Sequence, residues 1–144
     1  MKEKECINVL DELNKGACMG IDSINFIFDK IGNKDLKKVL NEQVDYYKSI
    51  TDKIGNLYPD YSSKDPHETN AMDKAMTWWG IEMQTLVDKS DEKIAELLLK
   101  GTNMGIIEGR KLLNHKDTDL EVEDLIEEYI EVQEEIVEKL KKFL

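Results

Sequence analysis

The sequence predicts an all-α domain, a four-helix bundle with one additional helix, from three observations. Apolar residues recur at three- and four-residue steps over most of the chain. No stretch alternates in the way a half-buried strand does, and stop and start signals cut the pattern into five segments. With 144 residues, 40% of them hydrophobic and 35% charged, the chain suits one globular domain spanning 1–144.

The first helix is expected over residues 4–31. Cys6, Leu10, Leu13, Ala17, Ile21, Ile24, Phe28 and Ile31 make one stripe at 3.6 residues per turn. Gly32-Asn33 should stop it as a pair that tolerates the left-handed region. A second helix follows over 34–57, with Leu36, Val39, Leu40, Gln43, Tyr47, Ile50, Ile54 and Leu57 inward. The short link makes these two helices antiparallel neighbours.

Pro59 and Pro66 frame the one irregular stretch. Asp65-Pro66-His67-Glu68 then reads as an N-cap, a first-turn proline and an acidic N3 residue, opening a helix over 66–87. Its stripe is Met72, Ala75, Met76, Trp79, Met83 and Leu86. Ser90-Asp91-Glu92 opens the next helix, over 91–113, with Ile94, Leu97, Leu98, Gly101, Gly105, Glu108 and Leu112 inward. Thr118 and Glu121 form a capping-box pattern for a last helix over 119–143. Its stripe is Val122, Leu125, Ile126, Tyr129, Gln133, Ile136, Val137, Leu140 and Phe143. Helix 66–87 spans about 33 Å at 1.5 Å per residue, the reach of a crossover between two hairpins. The alternative is a kinked helix running on through 88–90.

Charge and composition narrow the function classes. A net charge of −11 and a pI near 4.7 argue against nucleic acid or anionic lipid as a partner. No apolar run approaches the roughly 18 residues of a membrane span, and Met1-Lys2-Glu3-Lys4-Glu5 lacks a signal peptide's apolar segment, so the expected location is cytoplasmic. Cys6 and Cys18 fall about 18 Å apart on one helix and cannot bridge within the chain; Cys6 is expected in the core and Cys18 on its flank, both reduced.

The order of elements resembles the ferritin-like superfamily. The closer likeness is to an uncharacterised bacterial family of ferritin-like four-helix-bundle proteins. It is carried by the stretch from Leu13 to Asp22, by Asn41-Glu42-Gln43-Val44-Asp45-Tyr46-Tyr47, by Trp78-Trp79-Gly80, by the glycine-rich region ahead of Glu108, and by the final amphipathic helix. The superfamily's metal-binding members place a glutamate on each of two helices and Glu-x-x-His on each of the other two. That pattern fails here position by position. Ala17 and Ile21 face inward on the first helix while Asp22 points away. Glu42-x-x-Asp45 has no histidine, and the inward residue is Gln43. Glu131-x-x-Glu134 puts Glu131 opposite its apolar stripe, and His67 and His115 sit at helix ends. The di-iron chemistry implied by the resemblance is therefore not carried over.

Glu108 is the one carboxylate expected on an inward face. There it must be hydrogen-bonded, protonated or liganded. Axial bookkeeping places it level with Gly16, Ala17 and Tyr47, so it is expected to be mostly buried against Tyr47 or Asn14. Gln43 and Gln133 fall at similar heights and are expected to hydrogen-bond across the core, setting helix register or recognising a ligand. Gly101, Gly105 and Gly109, with Gly16 and Gly20, need a packing reason, since each costs about 1 kcal/mol relative to alanine. The expected reason is close approach of the first helix to helix 91–113, or room for a small ligand beside Glu108. The methionine and tryptophan stripe of 66–87 reads as core or as a binding groove, and Trp78 as a dimer contact. The carboxylates from 117 to 138 read as a solvated face or as a site for a basic partner.

The expected function is non-enzymatic, through protein contacts, as a homo-oligomer or with another protein. No catalytic residue, cofactor or metal site is assigned. The alternative is a degenerate ferritin-like protein that holds a metal ion or small molecule at a site including Glu108, with Gln43, Gln133 and Tyr47 as further binding candidates.

Overall fold

The structure, a computed structural model, describes residues 2–64, 81–82 and 90–144. Among them are four long helices and no strand: α1 (Lys2–Ile27), α2 (Lys34–Leu57), α3 (Asp91–His115) and α4 (Leu120–Leu140). Short 3₁₀ turns follow α1 at Phe28–Lys30, α2 at Tyr58–Asp60 and α4 at Lys141–Phe143. The helix expected over 66–87, with its methionine stripe, Trp78 and Trp79, lies outside the described residues, apart from Ile81 and Glu82, which are helical.

The helices pack as two hairpins, α1 with α2 and α3 with α4, joined mainly where α2 meets α4. Hydrogen bonds at the two ends give each helix its direction. At one end the Gly32 and Asn33 amides donate to the Asp91 carboxylate at 3.1 and 2.8 Å, which brings the α1–α2 link to the start of α3. At the other end Tyr58 donates to Asp11 at 2.9 Å, Tyr61 to Asp119 at 2.8 Å, and the Asp117 amide to Glu5 at 2.9 Å. There the end of α2, the start of α1 and the α3–α4 link come together. α1 and α4 therefore run one way and α2 and α3 the other. The connection from Tyr61 to Ser90 starts at one end of the bundle and finishes at the other, as a crossover between two hairpins requires.

The core is continuous and drawn from all four helices. Leu10, Leu13, Ile24, Leu36, Leu40, Ile50, Ile54, Ile94, Ile126, Ile130 and Ile136 are essentially free of solvent. Burying a side chain of that size is worth about 1.5–3 kcal/mol, which is what holds helices of middling propensity together. Cys6 is buried and Cys18 half-buried, and neither forms a disulfide.

The first helix, expected to run to Ile31, gives way to a 3₁₀ turn after Ile27, and the last, expected to run to Phe143, does so after Leu140. Two of the expected end signals also work differently. Gly32 and Asn33 are not in the left-handed region; Asn33 has φ −73° and caps α2, accepting from the Asp35 and Leu36 amides at 2.8 and 3.1 Å. The Asp91 carboxylate takes the preceding amides, so the link closes without a positive φ. The capping box expected from Thr118 is also not made. Asp119 is the N-cap of α4, its side chain makes no capping bond, and its carboxylate instead accepts from Tyr61. The Ser90 cap does form, its hydroxyl accepting from Lys93 N–H at 3.4 Å.

Candidate functional site

At mid-height the apolar core is interrupted by a layer of polar side chains from α2, α3 and α4. Gln43 and Tyr47 stand one turn apart on the inward stripe of α2, and the Gln43 amide donates to the Tyr47 hydroxyl at 3.0 Å. The same amide donates across the bundle to Thr102 Oγ1 on α3 at 3.1 Å. Tyr47 in turn donates to Gln133 Oε1 on α4 at 3.2 Å. The outer bonds return to main chain, Thr102 to the Leu98 carbonyl at 2.8 Å and Gln133 to the Tyr129 carbonyl at 3.2 Å. These four side chains are at most 4% exposed. One polar atom is left over: Gln43 Oε1 is buried and has no partner among the described residues. An unsatisfied buried acceptor costs about 1–3 kcal/mol, so the layer gives up some stability for a fixed alignment of three helices.

The glycines make room for this layer. A Cβ on Gly20 would lie 2.3 Å from the Tyr47 ring, and one on Gly16 would lie 2.3 Å from the Tyr129 hydroxyl. On α3 a Cβ at Gly105 would lie 2.1 Å from Gln133 Oε1, and one at Gly109 would lie 2.8 Å from Ile130 Cγ1. The expectation that these glycines let α1 approach α3 is corrected accordingly. On both helices they are notches for large side chains arriving from α2 and α4, and the space is filled rather than left for a ligand.

Of the four site candidates read from the sequence, Gln43, Gln133 and Tyr47 are brought together, but Glu108 is not with them. The two glutamines are linked through the Tyr47 hydroxyl rather than directly. Glu108 is a correction: its side chain is 71% exposed and ion-paired with Lys111 at 3.6 Å on the same helix. Neither Tyr47 nor Asn14 meets it. The reason is a one-residue error of phase on α3. The buried face runs Ile94, Leu98, Thr102 and Gly109, with Gly105 half-buried between them, and Glu108 lies about 100° around the helix from Gly109. Thr102 was missed for the same reason; the spacing Leu98–Thr102–Gly105–Gly109 is as regular as the one chosen, but its small residues carry no hydrophobic signal.

The chemistry of the layer is that of neutral groups. Burial pushes the Tyr47 hydroxyl up to about 12, with the Gln43 amide opposing the shift. Tyr129 is raised further, first by burial and then by Tyr47, against the Gln133 amide. Both phenols stay protonated and neither is a usable base near neutral pH. Two amides, two phenols and a threonine hydroxyl supply no anionic or imidazole ligand, so the residues present do not fit an iron or manganese pair. Among the described residues no group of three or more His, Cys, Asp or Glu side chains is placed to hold a metal ion.

The ion pairs between helices lie nearer the surface. Lys139 donates to Glu42 at 2.7 Å and Lys53 to Glu128, both across the α2–α4 seam. Hydrogen bonding to Lys139 holds the Glu42 carboxyl below its usual range. Among the described residues no helix is long and apolar enough to cross a membrane. Comparison with protein-family models, with curated proteins and with solved structures finds no match.

Proposed function

We propose that the chain is a ferritin-like bundle without a di-iron centre, a non-enzymatic cytoplasmic protein that acts through contacts with other proteins. Support for the bundle class comes from the helix directions: two antiparallel hairpins joined by one long crossover, the arrangement found in ferritin-like folds. The observation that carries the functional reading is the central layer. At the height where the superfamily's metal sites converge carboxylates and histidines, this chain converges Gln43, Tyr47, Thr102 and Gln133, bonded to one another. Such a layer specifies how the helices align and leaves the outer surface to do the work.

Purified without chelator, the protein should carry far less than one iron, manganese or zinc per chain. Addition of ferrous or manganous ion should leave its thermal unfolding midpoint unchanged. Elemental analysis near one metal per chain, with a rise in that midpoint on metal addition, would overturn the reading.

A further inference from the structure

Near one end of the α2–α4 seam lies an open groove of about 320 Å³. Leu57, half-buried, and the edge of Leu125, 5% exposed, belong to its lining beside Asn56, and Glu121, Asp124 and Glu128 border it. Lys53 is there too, but it is committed to Glu128. Glu121 and Asp124 make no salt bridge with any described residue, and both are exposed.

The groove opens onto a larger charged surface. Between Leu120 and Leu140 α4 carries nine carboxylates and a single lysine, Lys139, which is bonded to Glu42. Like charges three and four residues apart on a helix each cost a few tenths of a kcal/mol, and an occupant of opposite charge relieves that cost. The two leucines ask for an alkyl or aryl group between the charges, which a hydrated ion does not supply. Lysine and arginine side chains, and the apolar residues beside them on an amphipathic segment, supply both. A second copy of this chain is disfavoured as occupant, because its net charge of −11 repels the same surface.

We propose that this groove docks a basic amphipathic segment of a partner protein, seating one apolar side chain between Leu57 and Leu125 and setting lysine or arginine heads against Glu121 and Asp124. The proposal rests on the reading of the chain as a protein that acts through contacts, and it names the chemistry of the partner.

The test uses the full chain and a labelled helical peptide with leucines at three- and four-residue steps and lysine or arginine elsewhere, followed by fluorescence anisotropy. Micromolar binding is expected, weakening by about tenfold or more in the double variant Glu121→Gln/Asp124→Asn and by less than about threefold in Glu131→Gln/Glu135→Gln on the same helix. A peptide with serines in place of the leucines should bind at least about tenfold more weakly. Equal weakening by the two double variants would show a diffuse field and overturn the groove. So would undiminished binding of the serine peptide, the absence of peptide binding, or a dimer of this chain that the Glu121/Asp124 variant dissolves. Stoichiometric iron in the purified protein would overturn the metal-free reading and leave the peptide result standing. Metal-free protein that ignores the peptide would overturn the groove alone.

Discussion

Helices α2 and α3 run parallel and meet in the same polar layer, yet they contribute to it in opposite ways. α2 brings long side chains, Gln43 and Tyr47, which reach across the bundle. α3 brings Thr102, a short hydroxyl, and glycines at 105 and 109 that accept what arrives from α4. The other pair repeats the division: α4 reaches out with Tyr129 and Gln133, and α1 receives with Gly16 and Gly20. The two filling helices, α2 and α4, are therefore neighbours along one seam, and each receiving helix is the hairpin partner of one of them. The difference teaches that large polar side chains can sit in a close-packed core if the opposing helix surrenders its Cβ atoms, at about 1 kcal/mol of helix propensity each.

The comparison can be broken most severely by alkali. All five tyrosines lie on α2, on α4 or in the turn after α2. Burial raises Tyr47 and Tyr58 to about 12, and Tyr61 and Tyr129 further. A pKa raised in the folded state means stability that is complete below pH 10 and lost as pH climbs through about 12. For Tyr47 alone the change from 10 to about 12 corresponds to roughly 3 kcal/mol. Tyrosinate absorbance at these rings should therefore appear together with loss of far-UV ellipticity. Tyrosinate formed at Tyr47 or Tyr129 in an intact helical bundle would contradict the filling role.

The receiving helices are probed next. Gly20→Ala should cost about 2 kcal/mol or more, because the added carbon meets a rigid, buried ring and any gain in propensity is outweighed. Gly55, on α2, has nothing within 4 Å of its would-be Cβ, and Gly55→Ala should stabilise by up to about 1 kcal/mol. Denaturant unfolding of the two variants measures the contrast directly; equal effects would remove the distinction between notch and open glycine.

Within the filling side chains the bonds are unequal. Tyr47→Phe removes the donor to Gln133 Oε1 and should cost about 1–3 kcal/mol. Gln43→Met also removes the unsatisfied Oε1, while Tyr47 and Thr102 keep their own acceptors, so its cost should stay below about 1 kcal/mol. Thermal or urea unfolding that ranked them the other way would put the centre of the layer at Gln43. The smallest effect belongs to Glu108. Glu108→Gln should lie within about 0.5 kcal/mol of the native protein in the same measurement, as befits an exposed residue with one surface partner.

Legibility in the sequence followed the same division. On α2 and α4 every residue placed inward from the sequence is buried or half-buried, Gln43, Tyr47, Tyr129 and Gln133 included. Their stripes are made of large residues, and one phase fits them far better than its neighbours. On α3 the stripe passes through Gly101 and Gly105, where several phases score alike, and the phase that placed Glu108 inward missed Thr102 and Gly109. Glycine and threonine report little about direction because burying them gains little. The start of α4 was misread for a different reason: Asp119, not Thr118, takes the N-cap position, and Tyr61, fifty-eight residues away in the chain, takes its carboxylate.

By itself the sequence determined the helical class, the extents of four helices to within a few residues, the hairpin pairing that short links impose, and the neutrality of Gln43 and Gln133 where a metal site would need charge. Periodicity and local capping encode these, and both act within a turn or two of chain. Only the tertiary structure decided which glycine receives which ring, that Tyr47 joins the two glutamines, that Asp91 closes the α1–α2 link, and that Glu108 faces water. Each of these depends on how far one helix is rotated and shifted against another. That rotation is set by the packing of large side chains from two helices at once, which no single amphipathic stripe contains.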